Sequence, residues 1–371
     1  MRVAIHAEPA SHRIPGGVGA YVRNIVGELT DSTDDWEYRL IVSGFCLEPG
    51  KWSAADAPPA RLPVALRYAL WNFLTIPRID EQFDVVHATG LAIPPVPKAA
   101  LVATVHDLAV EHMPEVVPPL WRAIYRRGLR TAVSRAAVIC AVSGAIKREL
   151  VERLDVDERR IVVTPEAPDL STTDPRDERV LRRSGLDGAY ILTVGTVEPR
   201  KNQIALLRAF ARASAELNDV KVAIAGSPGW GQQQVVEEIA RLGLDDRVVL
   251  TGKVSPDELA ALYSRALVFA LPSLYEGFGL PLVEALSFGI PSVASSIPAL
   301  MEVGGPAALY VDPRDTDQLS MVLCQLAQDG ALRLQLAAAG PAQAGRFSWQ
   351  TTAELTRSAY QLAASQSGSR A

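Results

Sequence analysis

The chain has 371 residues, of which 48% are apolar and 21% are charged, and its formal net charge is -5 at pH 7. This length exceeds the size at which a single hydrophobic core stops growing, so we expect two globular domains. The acidic balance argues against general nucleic-acid binding. Cys46, Cys140 and Cys324 lack paired spacing, which argues against a zinc site or a disulfide framework.

Neither a signal peptide nor a membrane span is predicted. The first ten residues, MRVAIHAEPA, contain too short an apolar run for a signal peptide. No run approaches the ~20 apolar residues that a membrane-spanning helix requires. We therefore expect a cytoplasmic protein.

Short apolar runs recur through the first half, separated by helical or loop segments. This alternation is typical of βαβ units and predicts a parallel sheet. In such sheets ligands bind beyond the carboxyl ends of the strands, so residues at those ends are the first candidates for a site. The runs cover residues 3–6, 38–42, 85–87, 101–105, 138–142 and 161–163.

A glycine-rich loop follows the first run and leads into a helix near Ala20. It contains Gly16, Gly17 and Gly19. The glycines lie roughly ten residues beyond the strand and the third glycine of the dinucleotide fingerprint is missing, which disfavours nicotinamide-dependent oxidoreduction. Spacing alone leaves two interpretations of Gly17 open, a tight turn or a ligand contact.

A histidine follows the run at residues 101–105. His106 can donate or accept hydrogen bonds near neutral pH, which makes it a candidate for the site. Asp107 is interpreted as a residue that orients the loop. The other three histidines in this half that were weighed, His12, His87 and His112, are interpreted as structural hydrogen-bonding groups.

The segment 121–135 contains five arginines and no acidic residue. Two interpretations remain open: a helix packed on the core with solvated arginines, which we favour, or a peripheral contact with an anionic membrane surface. Its apolar face consists of Trp121, Ile124, Tyr125 and Leu129.

Turn-forming and charged residues dominate 155–187, and we expect the domain boundary near 168–174. The βαβ alternation then restarts, which predicts a second doubly wound sheet. Arg200 and Lys201 follow its first strand, where a helix is expected to begin. Because cations oppose the dipole of a helix N-terminus, an anionic ligand is the better reason for this pair. The strand-like runs are 191–194, 220–225, 248–251, 267–271 and 291–294.

The stretch 267–295 has the clearest chemistry. A strand ends before a loop with Gly277 and Gly279, and a helix then begins near Pro281. Glycines allow close approach of a ligand, and the free amides of a helix start attract phosphate. Glu276 and Glu284 flank this loop, which suits a ligand with sugar hydroxyls at both ends and phosphates between. Taken singly, either glutamate has a bland interpretation as a solvated or helix-start acid.

The segment EGFGLPLVE, from Glu276 to Glu284, resembles the signature of the retaining glycosyltransferases of family 4. That resemblance implies the GT-B fold, with two doubly wound Rossmann-like domains facing across a cleft. It implies an N-terminal acceptor-binding domain over 1–170, completed by a C-terminal helix at 349–366 that crosses back. A nucleotide-sugar-binding domain is expected over 171–348.

The resemblance also implies roles for individual residues. Glu276 and His106, the latter within VHDL, are expected to face the donor sugar, and Glu284 to bind the ribose. Arg200 and Lys201 are expected to contact the phosphates, although many relatives have an arginine where Thr196 stands here. The remaining donor-binding residues are Gly17 beside the diphosphate, Val254 near the base, and the amides of Gly277, Phe278, Gly279 and Leu280.

The activity implied is a retaining, metal-independent hexosyl transfer from a nucleoside-diphosphate sugar, with no further cofactor. The EPRKN form of residues 198–202 resembles a branch rich in mannosyltransferases, so GDP-mannose is the first expected donor and UDP-glucose the second. The acceptor is a hydroxyl of a glycan, a lipid-linked sugar or a small molecule. Alternatives are a GT-B epimerase or phosphorylase, or a nucleotide-sugar-binding protein without turnover.

Overall fold

The computed structural model describes residues 1–11, 16–31, 35–43, 45–47, 62–76, 78–79, 82–169 and 179–368. The chain forms two compact units, one of residues 1–166 with 347–371 and the other of residues 167–346. The divisions predicted from the sequence fall after residues 170 and 348. Most of the predicted boundary segment, residues 170–178, lies outside the described residues.

The first unit is built on a seven-stranded sheet with the order β3-β2-β1-β4-β5-β6-β7. All neighbouring strands are parallel except β2 and β3, which are antiparallel. Every predicted strand of this half is present, whereas β3 was not predicted. The strands are β1 (Arg2–His6), β2 (Glu37–Val42), β3 (Phe45–Leu47), β4 (Val85–Ala88), β5 (Ala100–Val105), β6 (Val138–Ala141) and β7 (Ile161–Val163).

Among the described residues of this unit, five α-helices precede the boundary. The second continues into a π-helical turn at Leu70–Leu74. The fifth begins at Ser143, whose hydroxyl accepts a hydrogen bond from the Ile146 amide at 3.1 Å, as expected of an N-cap. The helices are α1 (Gly17–Thr30), α2 (Val64–Ala69), α3 (Ala109–His112), α4 (Pro119–Arg135) and α5 (Gly144–Leu154).

The second unit contains a six-stranded, fully parallel sheet with the order β10-β9-β8-β11-β12-β13. Strand order reverses between the neighbours β8 and β11, and a crevice opens beyond strand ends at such a reversal. The last strand was not predicted. The strands are β8 (Tyr190–Val194), β9 (Lys221–Ala225), β10 (Val248–Gly252), β11 (Val268–Leu271), β12 (Ser292–Ser295) and β13 (Ala308–Val311).

Helices cover both faces of this sheet, as in a doubly wound fold. One of them, which starts after Ser255, carries a capping box in which Ser255 and Glu258 bond each other's backbone. The helices are α6 (Arg179–Arg183), α7 (Gln203–Arg212), α8 (Gln232–Arg241), α9 (Pro256–Arg265), α10 (Leu280–Ser287), α11 (Pro298–Gly304), α12 (Thr316–Gln328) and α13 (Gly330–Ala344).

The final helix, α14 (Trp349–Gly368), belongs to the first unit, although the whole second unit precedes it in the chain. Its Trp349 ring meets the Tyr21 ring edge-on at 5.9 Å between centroids. The Tyr360 hydroxyl lies 2.7 Å from Nδ1 of His87. Both side chains are therefore interior anchors of the first unit.

Within the described residues, no helix combines the length and the apolarity needed to cross a bilayer.

Candidate functional site

An ion-pair cluster lies at the carboxyl edge of the second sheet, between the loops that follow β8 and β11. Glu276 accepts hydrogen bonds from Lys201 Nζ at 2.6 Å and from Arg200 Nη1 at 2.9 Å, one on each carboxylate oxygen. The Ser273 hydroxyl donates a third at 2.8 Å. The fold thus brings together three of the predicted site residues from two distant segments.

The electrostatics of the cluster keep Glu276 ionised. Burial of its carboxyl group opposes ionisation, but the charges of Lys201 and Arg200 and the hydrogen bonds from Lys201 and Ser273 outweigh it, and the pKa of Glu276 falls to about 2. Arg200 is also paired with buried Glu198, with 2.8 Å between Nη2 and Oε1. Two cations and two carboxylates therefore share this site.

The predicted helix start at Arg200 and Lys201 is wrong. Both lie in a 3-10 turn, Pro199–Lys201, and α7 starts only after Asn202, whose φ of 55° breaks the helical path. The dipole of α7 therefore gives no support for an anionic ligand at the pair. Within the fold, Arg200 pairs with Glu198 and Glu276, and Lys201 pairs with Glu276.

Backbone contacts hold the two loops of the cluster in place. Nδ2 of the Asn202 side chain donates to the carbonyl oxygens of Pro272 at 3.0 Å and Pro313 at 2.8 Å. The Leu274 amide donates to the Arg200 carbonyl at 2.8 Å. On the other side, a Cβ at Gly226 would lie 2.0 Å from the Gly195 carbonyl oxygen, so only glycine permits this approach.

The glycine loop Gly277 to Gly279 leads directly from Glu276 into α10. Gly279 has φ of 111°, and a Cβ there would lie 2.4 Å from Cδ2 of Leu300. The side chains of Phe278 and Leu280 are buried and anchor the loop, so its backbone is presented rather than its side chains. In the first turn of α10, Pro281 has no N–H, and the amides of Leu282 and Val283 donate to the Gly279 carbonyl oxygen at 2.8 and 3.2 Å. The Leu280 amide is the one in this turn that could serve an anion.

Glu284 lies deeper in α10 than expected. It is the fifth residue of the helix rather than part of the first turn, because α10 begins at Leu280, one residue before Pro281. Its buried carboxylate accepts a hydrogen bond from the Tyr263 hydroxyl at 3.0 Å. Burial, followed by the charge of Glu284 and this hydrogen bond, raises the pKa of Tyr263 well above its ordinary value, so Tyr263 remains a donor.

Val254 is buried just beyond the end of β10, at the same edge of the sheet as the cluster. Its position follows from the shared direction of the parallel strands, whose carboxyl ends meet at one edge. No side-chain contact that bears on a nucleotide base is defined there.

The predicted residues of the first unit lie at the carboxyl edge of its own sheet. His106, which follows β5, has Glu166 Oε1 2.9 Å from Nδ1 and the Thr89 carbonyl oxygen 2.9 Å from Nε2. Burial lowers the pKa of His106, but the hydrogen bond and charge of Glu166, then the Thr89 carbonyl, outweigh it, and the net shift is upward. The ring faces Tyr21 edge-on at 4.8 Å.

Gly17 is the first residue of α1 and is exposed, with open space where a Cβ would lie. The fold itself does not require glycine there. Asp107 accepts from the Ala109 amide at 3.0 Å and so shapes the loop after His106. His87 and His112 are hydrogen-bonded inside the unit, whereas His12 lies outside the described residues.

Four residues at the site were not predicted from the sequence, namely Glu166, Glu198, Tyr263 and Ser273. Each is defined by a contact in three dimensions: Glu166 lies 60 residues from His106 in the chain, and Tyr263 lies 21 residues from Glu284. Glu198 lies within the EPRKN motif and Ser273 lies shortly before EGFGLPLVE, so their place in the sequence could have marked them as site residues. In the part of the chain that the structure describes, no three His, Cys, Asp or Glu side chains converge as a metal-binding group.

Two family models together match most of the chain. Residues 15–172 match the model described as Glycosyltransferase Family 4, and residues 177–343 match the model described as Glycosyl transferases group 1. Among solved structures, sucrose-phosphate synthase from Thermosynechococcus elongatus is similar, with a TM-score of 0.75 at 20% identity over 97% of this chain and 98% of that one. This likeness bears on the fold alone.

Curated relatives are more similar in sequence. The O-antigen chain mannosyltransferase B of Escherichia coli is 34% identical over 267 residues, which cover 70% of this chain and 70% of that protein. The MMP alpha-(1->4)-mannosyltransferase of Mycolicibacterium hassiacum is 34% identical over 303 residues, 76% of this chain and 71% of the relative. A 247-residue match to the mannosyltransferase WbdA of Escherichia coli spans 30% of that longer protein. The chain therefore belongs to the family 4 glycosyltransferases, enzymes with the GT-B fold, as the EGFGLPLVE motif predicted.

Proposed function

We propose that this glycosyltransferase moves a mannosyl group from a nucleoside-diphosphate sugar to an acceptor hydroxyl, with retention of the anomeric configuration and without a metal ion. The observation that carries the proposal is the cluster of Glu276, Arg200 and Lys201 beside the glycine loop and α10. It supplies cations and backbone amides for a diphosphate and a carboxylate for a sugar.

The ion pairs of the cluster suggest what donor binding changes. Arg200 and Lys201 are charge-matched by Glu276 and Glu198. A bound diphosphate competes for the two cations, which leaves Glu276 able to accept hydrogen bonds from sugar hydroxyls. Glu284, oriented by Tyr263, is positioned to accept from the ribose diol.

In the proposed reaction, the bond between the anomeric carbon and the diphosphate oxygen breaks while the acceptor oxygen bonds to the same face of that carbon. The proton of the acceptor hydroxyl passes to the leaving diphosphate. Arg200 and Lys201 stabilise the charge that develops on the leaving group, in place of a metal ion. His106 faces the sugar without removing a proton, because the carboxylate of Glu166 and the carbonyl oxygen of Thr89 hold both of its ring nitrogens as donors.

GDP-mannose is the proposed donor, supported by the mannosyltransferases among the relatives. UDP-glucose is the second candidate, favoured by the similarity to the Anabaena protein HepE solved with UDP-glucose, which has a TM-score of 0.71 at 18% identity. We propose that the first unit binds the acceptor, a hydroxyl on a glycan, a lipid-linked sugar or a small molecule, and that Gly17 and Val254 border the donor.

Nucleotide binding tests the donor first. Thermal shifts with GDP, UDP, ADP and dTDP, recorded with a chelator present, should show a selective rise with GDP because a ligand of the folded state raises its melting temperature. A selective rise with UDP would move the donor to UDP-glucose. No rise with any nucleotide would contradict the donor site. A rise in melting temperature that is seen only without the chelator would contradict its independence of metal.

Replacement of Glu276 separates transfer from binding. We expect Glu276→Gln to keep the nucleotide shift and to lose transfer by about a hundredfold or more, because an aligned charge at the reacting sugar is removed. The control is Asp245→Asn, an equal charge change at an exposed position of the same unit. Unchanged transfer in Glu276→Gln would contradict its role.

The unaltered protein tests the alternative functions. Conversion of the donor sugar without acceptor would favour an epimerase, and nucleotide binding without turnover would favour a non-catalytic protein.

A further inference from the structure

A cavity of about 400 Å³ lies in the first unit, away from the candidate site. It is lined by Val86 and Leu101, each the second residue of its strand, β4 and β5. His106 follows the opposite, carboxyl end of β5. The cavity therefore opens near the amino ends of the strands and shares no residue with the proposed donor site.

One wall of the cavity is strongly basic. Arg127, Arg130 and Arg135 of α4 line it and are exposed. Within the described ranges, no carboxylate forms an ion pair with any of the three, in contrast to Arg126, which pairs with Glu111 at 3.3 Å. With Arg78, which also lines the cavity, four positive charges thus face one small volume without a described acidic partner.

The hydrogen-bond donors of this wall are guanidinium groups. The hydroxyls of Thr131 and Ser134 also line the cavity but donate back into α4, to the carbonyls of Arg127 at 3.0 Å and Arg130 at 2.7 Å. Arg127 is fixed by its Nε, which donates to the Asn72 carbonyl at 3.1 Å. Guanidinium groups are suited to phosphate, because they bind it through paired hydrogen bonds.

Large apolar side chains project into solvent beside the cavity. Phe73, which lines it, is 50% exposed, Leu74 is 60% exposed and Ile76 is 45% exposed. Adjacent exposed apolar residues of this size mark an interaction surface. Apolar side chains next to a basic wall match a membrane surface, where acyl chains lie beneath anionic headgroups.

The predicted membrane contact through 121–135 is altered by this arrangement. Ile124 and Leu129 are buried in the core of the unit, so the apolar face of α4 does not reach lipid. The apolar face of α4 is therefore packed on the core, which is the interpretation that the sequence favoured. Only its arginines remain available, and the apolar contact comes from the π-helical turn and the residues after it.

We propose that the arginine-lined cavity binds the phosphate headgroup of an anionic membrane lipid, while Phe73, Leu74 and Ile76 contact its acyl region. The proposal is independent of the donor and the sugar transferred. Arg127 and Arg130 lie three residues apart on one face of α4 and bind the phosphate together. Such a site holds the enzyme at the membrane surface without a membrane-spanning helix.

Vesicle co-sedimentation of the full-length protein tests this proposal. We expect binding to phosphatidylcholine vesicles that contain phosphatidylglycerol and none to phosphatidylcholine alone. Arg127→Gln/Arg130→Gln should weaken binding about thirtyfold. The matched control, Arg148→Gln/Arg153→Gln, removes two exposed charges from the neighbouring α5 and should leave binding within a few-fold of wild type. Melting curves verify that each variant folds.

A second pair of variants tests the apolar contact independently. Phe73→Ser/Leu74→Ser should weaken binding to the same vesicles, whereas Met321→Ser/Leu334→Ser, at exposed apolar positions of the second unit, should not. If Arg127→Gln/Arg130→Gln and Arg148→Gln/Arg153→Gln lose vesicle binding equally, the attraction is diffuse, and this would overturn the site. Stabilisation by inorganic phosphate without vesicle binding would overturn the lipid in favour of a soluble anion. Binding to neither probe would overturn both.

Discussion

His106 is held as a hydrogen-bond donor on both sides of its ring. A carboxylate and a backbone carbonyl, from Glu166 and Thr89, are acceptors, so each ring nitrogen carries a proton when both hydrogen bonds form. The raised pKa of His106 has the same origin. Glu166 is thus a positioning residue for His106, and it fixes both the orientation and the charge of the ring.

Replacement of Glu166 should change the titration of His106. In Glu166→Gln the pKa of His106 should fall, because burial then acts with neither the charge nor the full hydrogen bond of the carboxylate to oppose it. Proton NMR of the five histidines as a function of pH measures this shift. Glu149→Gln, which removes an equal charge elsewhere in the first unit, is the control. An unchanged His106 titration would exclude the coupling.

The main site motifs could be predicted from the sequence, but their partners could not. Glu276, Arg200 and Lys201 stand in contiguous motifs whose spacing carries chemical meaning, and the fold brings them together. Glu166 lies in no motif that indicated a function. Its contact with His106 arises because the chain beyond β7 lies next to the end of β5 in the fold. Such a pairing follows from strand order, which a single sequence does not specify.

At the level of elements, α10 and its preceding loop depend on a single backbone conformation. Gly279→Ala should destabilise the protein by about 1–3 kcal/mol, because φ of 111° is strained for alanine and the added methyl meets Leu300. Chemical denaturation measures the change. Gly27→Ala is the matched control inside α1, where a Cβ meets nothing within 4 Å. It should stabilise by roughly 0.5–1 kcal/mol. Equal effects of the two variants would contradict this account.

Strands could be predicted wherever an apolar run was long enough to be buried on both faces. The two that were missed, β3 and β13, have three and four residues and extend their sheets beyond the strands that were predicted. A short strand at an edge needs little apolar sequence, because its pairing partner supplies most of its stability. Periodicity therefore missed the edge strands β3 and β13, although it predicted the edge strands β7 and β10.

At the scale of the whole molecule, all five histidines belong to residues 1–166, so pH changes near neutrality act on the first unit. Burial, then Arg67 and His87, lowers the pKa of His6 to about 3. Burial, then His106, lowers that of His87 to about 3. Both are neutral in the fold. The stability that depends on these two neutral side chains is fully present above the unfolded-state pKa of 6.5, and it is lost as the pH falls toward 3.

The first unit should therefore lose stability on acidification sooner than the second. Each of the two histidines contributes a loss of roughly 2 kcal/mol between pH 6.5 and 5. His106 has the opposite sign, since its stabilisation is complete below 6.5 and is lost as the pH rises through its folded pKa. The second unit is the internal control, because Glu276, with a pKa of about 2, loses its contribution only between about 4.5 and 2.

Hydrogen exchange followed by mass spectrometry resolves the two units in one experiment. Peptides from β4 and β5 should exchange faster at pH 5 than at pH 6.5 after correction for intrinsic rates, and peptides from β8 and β11 should not. Equal acceleration in both units would contradict the assignment of acid sensitivity to the buried histidines.

The position of α14 in the chain also governs how the protein is made. Its Trp349 and Tyr360 complete the interior of the first unit, yet the ribosome reaches them only after residues 167–346 have been synthesised. At typical elongation speeds of about 5–20 residues per second, this takes roughly ten to forty seconds. Throughout that interval the nascent first sheet lacks α14, which packs against β4, β5, β6 and β7. Chaperones therefore have a defined period in which to bind it, and the second unit can finish folding before the first.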